Sequence, residues 1–217
     1  MQNQKLFRQK DGSIKSIFEV HEGFTFHESP LDFFFILSRY KFASKVLADK
    51  KNVIDIGSGH GFGSILLSKF VQNLLAVDVD EELVQYSKKT HSKSNNIKFQ
   101  EFDLLNYDSK YSEMFDGLCS LDVIEHFEKE NILNVVTQYH NLLKTGGVAV
   151  IGTPNIASKP FASKRRIESH PFEFDYDFFK ASLQTKFSNV FIFSMTDETV
   201  STSFSKLAWY FMAVCIK

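Results

Sequence analysis

Three stretches of this chain combine residue types that do chemistry. The first is Asp122-Val-Ile-Glu-His126, two carboxyl groups and an imidazole in one short run. If the run takes a helical turn, Asp122, Glu125 and His126 share a face, because positions three and four apart are neighbours there. His126 would then serve as general base for a hydroxyl or ammonium acceptor, with Glu125 or Asp122 orienting it. The same donors, with a distant histidine, could instead hold a divalent ion, or they could only shape a loop by hydrogen bonds. The second stretch is Glu168-Ser-His170-Pro-Phe-Glu173-Phe-Asp175. Proline keeps the residue before it extended, which would aim His170 into a cleft; a lone loop histidine also serves as a surface or capping group. Asp175 reads as the cap of the helix that follows. The third and strongest is Asp55-Ile-Gly-Ser-Gly-His-Gly61. Gly57, Gly59 and Gly61 let the backbone turn sharply and approach a ligand where a Cβ would clash.

These runs need a sheet to bring them together. Val53–Ile56 is a short buried strand that feeds the glycine loop and then a helix to about Val71. Further strands follow at 74–78, 97–100, 115–122 and 146–153, alternating with amphipathic helices, one of them over about Lys129 to Leu143. Continuous apolar strands alternating with helices indicate an α/β fold with a parallel sheet covered on both faces. Residues 155–172 read as a loop, Asp175 to Lys186 as a helix, and NVFIFSM and LAWYFMAVCI as a sixth and a seventh strand able to pair antiparallel. Ligands of such sheets bind at the carboxyl ends of the strands. The second strand ends there in Asp78, whose carboxylate can accept both hydroxyls of a ribose. Glycine loop and acidic strand end together indicate an adenosine-containing ligand. They also fit a dinucleotide dehydrogenase. Asp55 stands where such loops carry an apolar residue, the spacing is Gly-x-Gly-x-Gly, and no room is left for a separate substrate domain.

Composition narrows the classes. The chain has 217 residues, 43% hydrophobic and 24% charged, which excludes disordered, collagen-like and coiled-coil proteins. With 25 basic against 26 acidic residues, no global basic field recruits nucleic acid or anionic lipid. Cys119 and Cys215 are too few for a disulfide framework or a cysteine-rich zinc site. MQNQKLFRQK lacks the apolar core of a secretory signal, and the longest apolar run, Leu207 to Ile216, is about half a membrane span. The expectation is a cytoplasmic protein with a small-molecule acceptor, no nucleic acid and no membrane. Its single domain spans 1–217: a helical lid or substrate segment (1–50), a cofactor-binding core (51–155), and an acceptor loop with C-terminal strands (156–217).

In motif order and spacing, residues 50–155 resemble the class I S-adenosylmethionine-dependent methyltransferases. VIDIGSGHGFG is similar to their first motif, AVDVD to the ribose-binding second, EFDLL to the Asp-containing loop that follows. FDGLCSLDVIEHF and LLKTGGVAVIGTPN are similar to their fourth- and fifth-strand motifs. The resemblance implies a Rossmann-like three-layer sandwich, a seven-stranded, mostly parallel sheet with a final antiparallel strand. It implies S-adenosylmethionine as cofactor. The loop with Asp55, Gly57, Ser58, Gly59 and Gly61 would hold the methionine part, Asp78 the ribose, and Val79 the adenine face. Asp103 and Leu104 would meet the adenine edge, although Asp103 also reads as a turn residue; Leu121 and Asp122 would lie near the methionine end. Gly63 reads as helix–strand clearance. Small-RNA 2′-O-methyltransferases and ubiquinone-pathway O-methyltransferases resemble the Asp122–His126 run, with Glu-x-x-Glu-His. In the RNA enzymes those residues and a later histidine bind magnesium. A metal here would use Asp122, Glu125, His126 and His170, but Asp122 is one methylene shorter than their glutamate, and none is assigned. His21, Phe24, Phe26 and His27 resemble a lid, with Arg39 and Tyr40 near the methionine carboxylate, or ordinary packing against the sheet; Lys164-Arg165-Arg166 reads as a solvated loop face, or could greet an anionic acceptor. Methyl transfer to a small molecule, to oxygen rather than nitrogen, is the expected activity, with sugars, sugar nucleotides or phosphorylated precursors of surface polysaccharide as acceptors. An RNA 2′-O-methyltransferase or a non-catalytic cofactor-binding module are the alternatives.

Overall fold

Val53–Ile56 carries apolar side chains on both faces, so it must be buried from two sides. The computed structural model describes residues 30–92 and 94–217, apart from the side chains of Asp32 and Arg165, and sets this strand inside an eight-stranded sheet. His21, Phe24, Phe26 and His27 lie outside the described residues. Strands β1 (Asn52–Ile56), β2 (Asn73–Asp78), β3 (Ile97–Glu101), β4 (Phe115–Leu121) and β5 (Leu143–Pro154) are parallel. β8 (Tyr210–Ile216) runs antiparallel between β5 and β6 (Asn189–Met195). A two-residue edge strand, β7 (Val200–Ser201), pairs with β6, giving the order β3-β2-β1-β4-β5-β8-β6-β7. Seven of these strands match the sequence expectation. The eighth is too short to leave a pattern: it follows a turn in which Thr199 N donates to Asp197 Oδ1 at 2.7 Å.

The helices start where local chemistry allows. α1 (Pro30–Val46) begins at proline, which lacks the N–H that a first turn leaves unpaired. α2 (Phe62–Ser68) follows Gly61, whose φ of 79° brings the loop round. Asp80 caps α3 (Glu81–Thr90), accepting from Glu82 N and Leu83 N. After α4 (Ile132–Leu142), residues 155–172 depart from the expected loop. They hold a 3-10 turn (Ile156–Phe161) and a short helix, α5 (Lys164–Ser169), capped by Ser163. The basic run Lys164-Arg165-Arg166 carries no apolar period, which is why the pattern missed it. Asp175 caps α6 (Tyr176–Gln184), accepting from Phe178 N at 2.8 Å as its position suggested.

Alternation along the strands sorts the core into two layers. Ile54, Ile56, Leu118 and Phe211 face one side, where α4 and α6 supply Tyr139, Phe179 and Leu183. Val53, Cys119, Val150 and Met212 face the other, with Tyr40, Ala43 and Leu47 from the α1 region and Leu67 from α2. Gly63 is the contact point of α1 and α2. A Cβ there would stand 2.0 Å from the Tyr40 ring, so the clearance serves helix against helix rather than helix against strand. Gly63→Ala is expected to destabilise the protein by about 1–3 kcal/mol, read as a lower urea midpoint at unchanged slope. An unchanged midpoint would show that Tyr40 moves freely.

The chain leaves β1 toward β2 on one side, while β4 returns on the other. Connections diverge at this point and open a crevice beyond the carboxyl ends of the strands. The glycine loop, Asp78, and the turn after β4 all end there.

Candidate active site

Asp55 and Val53 share a side of β1, so the Asp55 carboxyl points toward α1 and α2 and away from the crevice. It is fully buried. Oδ2 accepts from Ser64 Oγ at 2.6 Å and Tyr40 OH at 3.4 Å, while Oδ1 has no partner. Asp55 therefore anchors the loop from beneath and takes no place on its ligand side. Burial pushes its carboxyl up to about 6, against hydrogen bonds that favour the charge. The folded state then keeps a proton that the unfolded chain has released. Stability should fall as pH rises from about 4 to about 6. Asp55→Asn should remove this slope, gaining thermal stability relative to the parent as pH rises across that window. Parallel melting curves against pH would contradict it.

The loop itself opens onto space. Gly57 and Gly59 have φ of 74° and 52°, and a Cβ on Gly59 would meet nothing within 4 Å. Gly59 N donates to Asp78 Oδ2 at 2.8 Å, and Asp80 N to Asp78 Oδ1 at 3.0 Å. Ser58 Oγ is buried without a partner.

Beyond β4 the backbone does not enter the helical turn that the sequence suggested. Asp122 adopts φ 57°, a left-handed conformation that costs a residue with a Cβ roughly 1–3 kcal/mol and clusters at functional sites. A 3-10 turn (Ile124–His126) follows, and Asp122 parts from Glu125 and His126. Asp122 Oδ2 accepts from Arg39 Nη1 of α1 at 2.7 Å. Glu125 is fully buried: Oε2 accepts from Thr153 Oγ1 at 3.1 Å and Oε1 has no partner. Burial, reinforced by the charge of Asp122, holds its carboxyl well above the usual carboxylate range. Neither acid orients His126. The Ser169 carbonyl does so, 2.8 Å from His126 Nδ1. A carbonyl only accepts, so Nδ1 carries the proton and the neutral ring keeps Nε2 as its lone-pair site.

The second stretch comes to the same place. Phe172 and Phe174 pack their rings 5.1 Å apart, and Ile156 N donates to Phe174 O, which ties the segment to the end of β5. His170 meets His126 edge to face, ring centroids 4.8 Å apart. Its Nδ1 lies 3.2 Å from Glu173 Oε1, and the same oxygen accepts from Arg166 Nε at 2.8 Å. Arg166 Nη2 also donates to Ser158 Oγ at 2.9 Å. Burial lowers the pKa of His170, with His126 adding to the shift, against the hydrogen bond to Glu173. Arg166 is thus built into the fold rather than presented on a solvated face.

Two cavities meet at this seam. One, of about 340 Å³, is walled by Ile56, Gly57, Asp78, Val79, Phe102, Asp103 and Leu104. The other, of about 490 Å³, lies between α1, the 155–170 segment and the start of β8, with Phe35, Phe161, Trp209 and Tyr210 among its walls. Asp122 and His126 line both.

Residues 53–147 match the family model described as a methyltransferase domain. That stretch is a class I methyltransferase domain. The ubiquinone biosynthesis O-methyltransferase of Rickettsia canadensis (strain McKiel) is 27% identical over 128 residues, 58% of this chain and 50% of that protein. The putative methyltransferase 235L of Invertebrate iridescent virus 6 is 29% identical over 92 residues, 41% of this chain and 34% of that protein. The chain spans about half the length, or less, of these curated relatives. The fold aligns with N-methyltransferase NodS from Bradyrhizobium japonicum WM9 in complex with S-adenosyl-l-homocysteine. The TM-score is 0.67 at 14% identity, covering 91% of this chain and 93% of that one. It also aligns with the methyltransferase domain of bacterial CtHen1-C, at TM-score 0.64 and 20% identity, covering 84% and 98%.

Within the methyltransferase domain, the residues assigned to cofactor from sequence divide into two groups. Gly57, Asp78, Val79, Asp103 and Leu104 line the smaller cavity; Asp55, Ser58, Gly59, Gly61 and Leu121 do not. Leu121 is packed in the core beside Gly152. Asp103 also serves its turn, Oδ1 accepting from Leu105 N at 2.9 Å. Tyr40 donates to Asp55 beneath the glycine loop, and Arg39 donates to Asp122. Phe102, Val123 and Phe127 are walls that the sequence did not mark. Phe102 lies one residue past β3, at the same carboxyl-end level as Asp78, a position that strand register alone identifies. Of the four residues that the resemblance offered for a metal, none of them assigned to one from sequence, three come together and one does not. Glu125, His126 and His170 bring one donor atom each within 4.8 Å of one another, but Asp122 stands outside this group, paired with Arg39.

Proposed function

We propose that this chain transfers a methyl group from S-adenosylmethionine to a hydroxyl of a small molecule, with His126 as general base and no metal in the step. The observation that carries the reading is the seam, because Asp122 and His126 belong to both cavities. The smaller cavity fits the cofactor. Gly57, Asp78 and Asp103 line it, and Val79, 70% exposed, offers an apolar face to a base. When bound, the sulfonium supplies an electrophilic methyl group. The protein has three further tasks. Asp78 accepts the ribose hydroxyls while holding the glycine loop in shape. The larger cavity confines the acceptor, which replaces an encounter in solution by a fixed geometry and contributes much of the rate. His126 Nε2 takes the hydroxyl proton, since the Ser169 carbonyl has fixed Nδ1 as the protonated nitrogen.

The size of the larger cavity and its aromatic walls favour a compact acceptor with a flat ring face, sugar or aromatic. Release of adenosylhomocysteine with a panel of hydroxylated small molecules tests the reading. Turnover is expected with at least one of them and should be unchanged by a chelator. Turnover confined to amines, or abolished by chelator and restored by a divalent ion, would contradict it.

A further inference from the structure

The seam holds what a divalent ion seeks, carboxyl and imidazole donors from separate elements. It also holds a cation of its own. Arg39 reaches it from α1, across 83 positions of sequence, and sets Nη1 2.7 Å from Asp122 Oδ2. Its guanidinium carbon sits 3.7 Å above the Tyr210 ring. The side chain is only 17% exposed, so ion pair and ring together pin it in place. Arginine suits such a position because its planar charge is fixed, weakly hydrated and stacks on aromatic faces. Asp122 in turn is held at φ 57° by its own N–H to Gly152 O at 3.1 Å and by this pair.

We propose that Arg39 is the resident cation of this centre: it sets a fixed positive charge beside Glu125, His126 and His170, whose donor atoms could otherwise hold a metal ion, and it fixes Asp122 at the seam between the two cavities. Arg39 is thus a positioning residue acting through Asp122. Its positive charge repels a divalent ion from the neighbouring donors, and its hydrogen bond engages the Asp122 carboxylate. Glu125 is fully buried, with Oε2 already accepting from Thr153 Oγ1. The inference rests on the methyltransferase reading only for what the centre is used for.

Removing Arg39 should therefore create a metal site. Mn²⁺ alone is the probe, with free ion followed by electron paramagnetic resonance in titrations of the full chain, Arg39→Ala, and Arg39→Ala with His170→Ala. Arg39→Ala is expected to bind one Mn²⁺ at least ~10-fold more tightly than the parent, because a fixed like charge is gone and a carboxylate is freed. The double variant should return to the parent's affinity. Arg39→Met, closer in volume, takes the place of Arg39→Ala if circular dichroism shows the alanine variant unfolded. Equal Mn²⁺ affinity in parent and Arg39 variant would overturn the proposal. So would a gain that survives loss of His170. Adenosylhomocysteine titrated into the parent in parallel separates the two claims: failure to bind it defeats the methyltransferase reading and leaves the Mn²⁺ comparison intact.

Discussion

Asp78→Ala is expected to weaken adenosylhomocysteine binding by well over tenfold. Asp78 closes β2 at the wall of the smaller cavity, where its two oxygens already accept from Gly59 N and Asp80 N. Each carboxylate oxygen has a further lone pair to offer a ribose hydroxyl. A hydrogen bond to a charged group contributes about 1.5–3 kcal/mol, so loss of two exceeds a factor of ten even at the lower bound. The alanine variant also releases the Gly59 N–H, which loosens the loop that must meet the ligand. Asp78→Asn keeps one acceptor oxygen and should fall between the two. Calorimetry reads the dissociation constants directly. An unchanged constant in the alanine variant would remove Asp78 from the ribose.

The second large effect is on turnover. His126→Ala is expected to lower it by roughly 10²–10⁴-fold, the usual contribution of a positioned general base, while adenosylhomocysteine affinity changes little. His126→Asn sharpens the test. Its amide can still donate to the Ser169 carbonyl, now met by His126 Nδ1 at 2.8 Å, yet it offers no base. Both variants should be equally slow if the role is proton transfer. Recovery of turnover in the asparagine variant would show instead that the hydrogen bond to Ser169 is what matters, and the histidine would be a loop fastener.

What could be read from sequence was what depends on near neighbours. The glycine loop, the parallel strands and the acid closing β2 announce themselves through local period and spacing, and the structure places them as that pattern requires. Asp55, which the resemblance grouped with the methionine-holding loop, lies instead on the side of Val53, under α1 and α2, as period two along β1 requires. The arrangement of Asp122, Glu125 and His126 was not legible. Aspartate is among the few non-glycine residues that tolerate a positive φ, but nothing in Asp-Val-Ile-Glu-His says that it does so here instead of starting a helix. The partners of these side chains come from far along the chain: Arg39 for Asp122, Ser169 for His126, Thr153 for Glu125. Such pairings follow from the packing of α1 and the 155–170 segment against the sheet, which no local window contains. The same holds for Glu173, whose role beneath His170 depends on Arg166 folding back onto it.

What fills the smaller cavity decides the function. Titrating the full chain with adenosylhomocysteine, and separately with a reduced nicotinamide dinucleotide, puts the question in one calorimetric experiment. One adenosylhomocysteine should bind per chain and the dinucleotide should give no heat. No heat from adenosylhomocysteine, or saturable binding of the dinucleotide in its place, would contradict the assignment of the glycine loop and Asp78 to a sulfonium nucleoside.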